Sequence, residues 1–301
     1  MDEGAILVVG VGGIGCRWSQ RAHSQCPELS DLLLVDADEL SFSSSQEAHC
    51  LHLDATGEAK GTAALPNLAH HRLKEGLSNI SHLIERAELV VVLSALGGGT
   101  GSGAASEIAA KAKESGSLVM SIVGLPFAEQ PLRCAIAELA LPELESNSHL
   151  CIRVSLERLA WQARHRDSDW KLGSEWIGEL IEGLVTTLAR VGKMNLDLMD
   201  LRTVIDRPGN ATLIVGTGST EDPSAVVNMA RNSPLSEIGI EGAKGCMIQV
   251  EGGPDMTLAH LNEVTEGFVS VLDEDCQVIL GARASDEMAG TLRLVAVVSG
   301  L

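Results

Sequence analysis

The chain has 301 residues, enough to bury a sizeable core and to form two domains. Its 45% hydrophobic and 21% charged content is that of a globular protein, and a net charge of −19 excludes a basic surface able to displace counterions from nucleic acid. No apolar run reaches the roughly 18 residues that span a bilayer, and the acidic start Met1-Asp-Glu-Gly is no signal peptide, so a cytoplasmic protein without membrane insertion is expected.

Residues 5–9 are a continuous apolar run, as in a strand buried on both faces. They enter Gly10-Val-Gly-Gly-Ile-Gly15 and a helical stretch to residue 24. This order fits a dinucleotide fingerprint, and Asp36, after a second strand over 32–35, stands where a ribose-binding carboxylate is expected. Residues 43–65 are small, polar and aperiodic, which predicts a surface loop, and a helix follows over 68–85.

The next strand, 89–93, leads to Gly97-Gly-Gly-Thr-Gly-Ser-Gly103 and a helical run over 104–114. Five glycines in seven positions exceed the needs of a turn, since each costs folding entropy. Between a buried strand and a helix start they bare a row of backbone N–H groups beside two hydroxyls, at the positive end of a helix dipole. That is a phosphate cradle. Strands over 118–123 and 149–154, with a helix over 132–144 between them, complete an alternation that predicts a parallel sheet covered on both faces. Its ligand site belongs beyond the carboxyl ends of the strands.

A long helix is predicted over 170–191, with apolar residues at 176, 177, 180, 181, 184, 185 and 188 forming one stripe. The rest reads as a compact α+β domain, with strands over 211–215, 246–250, 277–280 and 292–298 and helices over 223–232 and 257–272. Aromatic residues make up only 2% and tyrosine is absent, so the cores rest on Leu, Ile, Val and Ala. Seven cysteines without CxxC spacing read as reduced thiols, and His70 and His71 lack partners at metal-ligand spacing, so no metal-ligating residues are assigned.

Between the two halves lies Asn195-Leu-Asp197-Leu-Met-Asp200, which on residue type alone reads as an acid-capped helix start. Here a resemblance adds a second reading. Gly97-Gly-Gly-Thr-Gly-Ser-Gly103 resembles the signature loop of the tubulin and FtsZ superfamily, and Asn195, Asp197 and Asp200 match the FtsZ pattern Asn-x-Asp-x-x-Asp one for one. The likeness runs from Ile6 to Ser299, through Glu129 and Arg133 in a sugar-binding loop and through Ser233-Pro-Leu235 and Gly242-Ala-Lys-Gly245.

The resemblance implies an α/β fold with a Rossmann-like nucleotide-binding domain (1–169), a central helix (170–192) and a smaller α+β domain (193–301). It implies GTP and GDP as ligands with Mg²⁺, hydrolysis at a subunit interface, and head-to-tail filaments serving prokaryotic cell division or cell shape. Phosphates would lie on Gly12, Gly13, Ile14, Gly15, Cys16 and Arg17 and on Gly97, Gly98, Gly99, Thr100, Gly101, Ser102 and Gly103, with Asp36 nearby. Glu129 and Arg133 would hold the sugar, Trp170 would stack on the base with Ser174 beside it, and Asn195, Asp197 and Asp200 would act on the nucleotide of the neighbouring subunit.

Departures from the family pattern qualify this. Ile14, Cys16 and Arg17 interrupt the glycine run of the first loop, where Arg17 either adds charge to the phosphates or points to solvent. Leu156 stands in place of the guanine-reading Asn, and an apolar side chain cannot replace its hydrogen bonds. In the third nucleotide loop, near 55–61, Lys60 either approaches the γ-phosphate or is solvated. The alternative reading is therefore a structural or regulatory relative with weakened guanine recognition that does not hydrolyse. The family's carboxyl-terminal adaptor peptide is not found before Leu301, so a membrane adaptor or another FtsZ-like protein is the further partner expected.

Overall fold

Six of the extended runs pair into one parallel sheet: β1 (Ile6–Val11), β2 (Asp31–Asp36), β3 (His49–His52), β4 (Leu89–Ala95), β5 (Leu118–Leu125) and β6 (Leu150–Ser155). The computed structural model describes residues 5–42, 48–54, 61–62, 64–165, 174–190, 193–207, 210–232 and 239–301. Strand order is β3-β2-β1-β4-β5-β6. The order reverses between β1 and β4, so the connections leaving their carboxyl ends diverge and open a crevice. Every residue of β1 is buried, as are all but the last of β4, which explains runs that are apolar throughout instead of alternating.

The helices α1 (Gly12–Gln25), α2 (Pro66–Arg86), α3 (Gly99–Glu114), α4 (Pro131–Ser146) and α5 (Leu156–His165) complete this part. Three features correct the sequence reading. The expected loop over 43–65 contains β3, an edge strand of only four residues in which His49 and Cys50 are exposed, so no apolar run announced it. The glycine segment does not precede its helix but opens it, because α3 starts at Gly99. Packing overrides low helix propensity there: a Cβ at Gly103 would overlap the Pro66 carbonyl of α2, so bare backbone is what lets the two helices approach. The helix α5 was not anticipated, although Leu156, Leu159, Ala160 and Ala163 recur at helical spacing and are buried.

The chain divides into two compact units, Met1–Glu182 and Gly183–Leu301. The division falls inside α6 (Ser174–Ala189), whose stripe of Trp176, Ile177, Leu180, Ile181, Leu184, Val185 and Leu188 is buried. The expected helix positions 170–173 and 191 lie outside the described residues, as do Lys60 and Ser233-Pro-Leu235.

The second unit holds α7 (Leu198–Ile205), β7 (Ala211–Ser219), α8 (Pro223–Arg231), β8 (Gly245–Gly252), α9 (Leu258–Val269), β9 (Gln277–Ala284) and β10 (Thr291–Ser299). Its sheet runs β7-β10-β8-β9, antiparallel except for the β8/β9 pair. One face packs Cys246, Ile248, Val250, Leu292, Leu294 and Ala296 against Val226 of α8 and Val264 and Phe268 of α9. On strand positions of opposite parity, Glu251 lies between Arg283 and Arg293, its register partners on the two flanking strands. Arg283 Nε donates to Oε1 at 2.9 Å and Arg293 Nε to Oε2 at 2.8 Å. The three side chains are 1%, 9% and 13% exposed. Removing the carboxylate takes these ion pairs from the buried Arg283 and the part-buried Arg293, so Glu251→Leu is expected to lower stability by about 3–5 kcal/mol in chemical denaturation.

All seven cysteines are free thiols. Burial raises Cys16 and Cys246, both in the core, far above the ordinary thiol range and the partly buried Cys151 to about 12, so these three stay protonated thiols. Among the described residues no helix is long and apolar enough to cross a membrane.

Candidate functional site

The crevice at the β1/β4 reversal is a cavity of about 400 Å³ lined by Val11, Gly12, Gly13 and Ile14 from one loop and Gly98, Gly99, Thr100 and Gly101 from the other. Both loops run from a strand end directly into a helix. In α1 the N–H groups of Gly12, Gly13 and Ile14 precede the first possible intrahelical bond, and the N-cap Val11 has no side chain to cap them. In α3 the first intrahelical bond is from Ser102 N to Gly98 O, which leaves the N–H groups of Gly98, Gly99, Thr100 and Gly101 before it. Two positive helix ends thus face one space, with donors and, among the described lining residues, no carboxylate.

The loops can meet because both are bare. Gly12 has φ +75°, a conformation side chains rarely adopt, and a Cβ there would lie 3.3 Å from Gly101 N. Gly97 has φ +90°, and its N–H donates to Ser102 Oγ at 2.8 Å, so this hydroxyl closes the turn from beneath instead of lining the cavity. Thr100 Oγ1 lies 3.2 Å from Thr62 Oγ1, a buried pair at the cavity wall. Leu96, Pro126, Phe127 and Leu156 add apolar lining, and Gln130 and Arg133 from the α4 start line the same cavity. A Cβ on Gly124 would lie 2.9 Å from both Leu156 and the buried ring of Trp18, so these two side chains close over that glycine.

The GTPase-domain model of the tubulin/FtsZ family matches residues 5–162, and the model of the FtsZ family's C-terminal domain matches 209–301. The chain belongs to the tubulin/FtsZ family. It is 32% identical to cell division protein FtsZ 1 of Archaeoglobus fulgidus, over 98% of this chain and 82% of that one. It is 31% identical to cell division protein FtsZ of Haloferax mediterranei, over 98% and 80%. The empty FtsZ dimer of M. jannaschii superposes with a TM-score of 0.87 at 27% identity, covering 100% of this chain and 89% of that one.

Several residues that the FtsZ resemblance assigned to the nucleotide do not line the cavity. Gly15 packs on the Leu93 carbonyl, bringing α1 onto β4, and Gly103 packs on α2 as described. Cys16 is fully buried, its Sγ donating to Gly10 O at 3.5 Å, and its amide lies beyond the unpaired first turn of α1. Arg17 is exposed on α1. Asp36 is 5% exposed with both oxygens engaged: Ala37 N donates to Oδ1 at 2.8 Å and Ser41 Oγ to Oδ2 at 2.5 Å. That carboxylate orders its own loop. Glu129 is exposed, whereas Arg133 four residues on does reach the cavity. Ser174 begins α6, and Trp170 lies outside the described residues. Thr62, Phe127 and Gln130 were missed; Thr62 stood isolated in an aperiodic stretch, and no spacing marked it.

In the second unit Asp197 is the N-cap of α7, its Oδ1 accepting from Met199 N at 2.7 Å and Asp200 N at 3.0 Å. Asp200 Oδ2 accepts in return from Asp197 N at 2.9 Å. This reciprocal capping box uses one oxygen of each carboxylate. Among the described residues, the second oxygen of each makes no hydrogen bond, and Asp197 is exposed. The cap reading and the family reading of these aspartates are therefore compatible.

Proposed function

We propose that this chain binds guanine nucleotide in the β1/β4 cavity and hydrolyses GTP there with carboxylates from the next subunit, assembling head to tail in prokaryotic cell division or cell shape. What carries the reading is the convergence of two uncapped, glycine-opened helix starts on one cavity. Their N–H groups suit the phosphate chain, and Arg133 at the rim suits the ribose or a phosphate. The apolar lining at Leu156 supplies burial for a base but no side-chain hydrogen bond, so base preference belongs among the arms of any binding test.

Mg²⁺ fits as part of the nucleotide complex, not as a resident of a protein cage. Among the described lining residues none is a carboxylate, and Thr62 and Thr100 offer the hydroxyls nearest the glycine segment. Bound there, the ion would neutralise phosphate charge. The free oxygens of Asp197 and Asp200 would orient and polarise the attacking water, which gives its oxygen to the γ-phosphorus and a proton to a carboxylate as the bond to the GDP oxygen breaks.

Because pocket and acids would come from different molecules, the association is heterologous and open-ended. The dimer formed by M. jannaschii FtsZ supports self-association of this relative. Turnover per subunit, measured across protein concentration with GTP, ATP and GDP binding in parallel, is expected to vanish below a threshold. Constant specific activity on dilution would remove the shared site from consideration.

A further inference from the structure

The loop that carries the acids rests on a seat defined by a missing side chain. Lys193 N and Met194 N both donate to Ala282 O of β9, at 2.8 and 3.1 Å, and Ala282 N donates back to Met194 O at 3.0 Å. The next residues alternate: Asn195 is exposed, Leu196 is 4% exposed, and Asp197 is exposed again. Leu196 lies over Gly281, where a Cβ would fall 2.7 Å from its Cγ and 2.8 Å from its Cδ1. The same Cβ would overlap Oε1 of Gln249, the register partner of Gly281 on β8.

Gln249 is the second neighbour that a methyl on Gly281 would meet. Gln249 is 3% exposed, and its Oε1 is buried without a hydrogen-bond partner among the described residues. Two positions further along both strands, Glu251 is locked to Arg283 and, across on β10, to Arg293. Even if the Gln249 amide swings aside, a Cβ 2.7 Å from Leu196 Cγ obliges Leu196 to shift as well.

Resting on the shared-site reading above, we propose that Gly281 is a positioning residue for hydrolysis: its bare backbone sets the height of Leu196 over β9, and with it the reach of Asp197 and Asp200 toward the neighbour's nucleotide. Ordinary carbon contacts are about 3.5–4.0 Å, so one methyl at this position lifts Leu196 by about 1 Å. A displacement of that size costs about 10²-fold in rate without any change in the reacting groups.

The test separates position from stability. Gly281→Ala in the full chain is expected to lower kcat about 10²-fold while nucleotide affinity, a property of the first unit, stays unchanged. Adding Leu196→Ala to it returns room for the methyl and restores most of the turnover. Should Gly281→Ala fail to fold, Leu196→Phe crowds the same contact from the other side and is expected to lower kcat at unchanged affinity; unchanged kcat overturns the proposal.

The decisive readout is mixing Gly281→Ala with Gly98→Asp, a variant whose cavity is blocked but whose acid loop is intact. Random head-to-tail association makes about one junction in four whole, so the mixture is expected to recover about a quarter of wild-type turnover. An Asp200→Asn plus Gly98→Asp mixture is the reference. If the reference recovers and the Gly281→Ala mixture does not, Gly281 has only a general structural role and the proposal falls. If the reference itself stays inactive, the shared site is wrong and the seat falls with it.

Discussion

Asp200→Asn is expected to abolish GTP turnover, by about 10²–10⁴-fold, while nucleotide affinity and thermal stability stay at wild-type values. The choice of asparagine follows from the capping box. Its side-chain oxygen still accepts the Asp197 N–H now bonded to Oδ2, so the start of α7 is kept while the charge facing solvent is lost. Alanine removes both together. Asp197→Ala confounds further, because Asp197 caps two N–H groups, and losing a cap of this kind costs about 1 kcal/mol. Steady-state phosphate release at saturating GTP, with binding measured separately, checks the expectation. Undiminished release from the folded Asn variant would transfer the water-orienting role elsewhere.

Gly98→Asp is expected to do the reverse, destroying nucleotide binding in a protein at least as stable as the parent. Gly98 is the N-cap of α3 with φ −102° and ψ 166°, open to any residue, and nothing lies within 4 Å of its Cβ direction except Arg133 Nη1 at 4.0 Å. Aspartate is a preferred N-cap and suits the positive helix end, so stability is expected to rise by about 0.3–1 kcal/mol. Its carboxylate then holds the N–H groups that the phosphates need. Like charges 4 Å apart repel by about 4 kcal/mol at an effective dielectric of 20, which is about three orders of magnitude in affinity. Gly98→Asn makes the same cap without the charge and is expected to lose far less. Equilibrium titration with GTP decides it, and equal losses in the two variants would mean that the cavity does not hold an anion.

The parallel sheet was readable because β1, β4 and β5 are buried on both faces and so appear as unbroken apolar runs. Legibility failed where burial is one-sided or brief. The strand β3 has an exposed half and four residues, and α5 has its apolar spacing hidden behind a strand that ends one residue earlier. At the site, the glycines announced a cradle but not its division of labour. Spacing cannot distinguish Gly98, which faces the cavity, from Gly103, which faces a neighbouring helix, or Thr100 at the wall from Ser102 beneath it. Asp36 has the position of a ligand-binding acid, and its bonds to Ser41 and the Ala37 amide add a loop-ordering role that position alone does not reveal.

The burial of Trp18 beside Gly124 and Leu156 has a practical side. With no tyrosine, the fluorescence of this chain is dominated by its four tryptophans. One of these indoles, Trp18, is fully shielded from solvent and packs over Gly124 together with Leu156, which lines the cavity. The molecule therefore carries an intrinsic optical probe near its cavity, whose emission is expected to change on nucleotide addition without a dye attached to any of its surfaces.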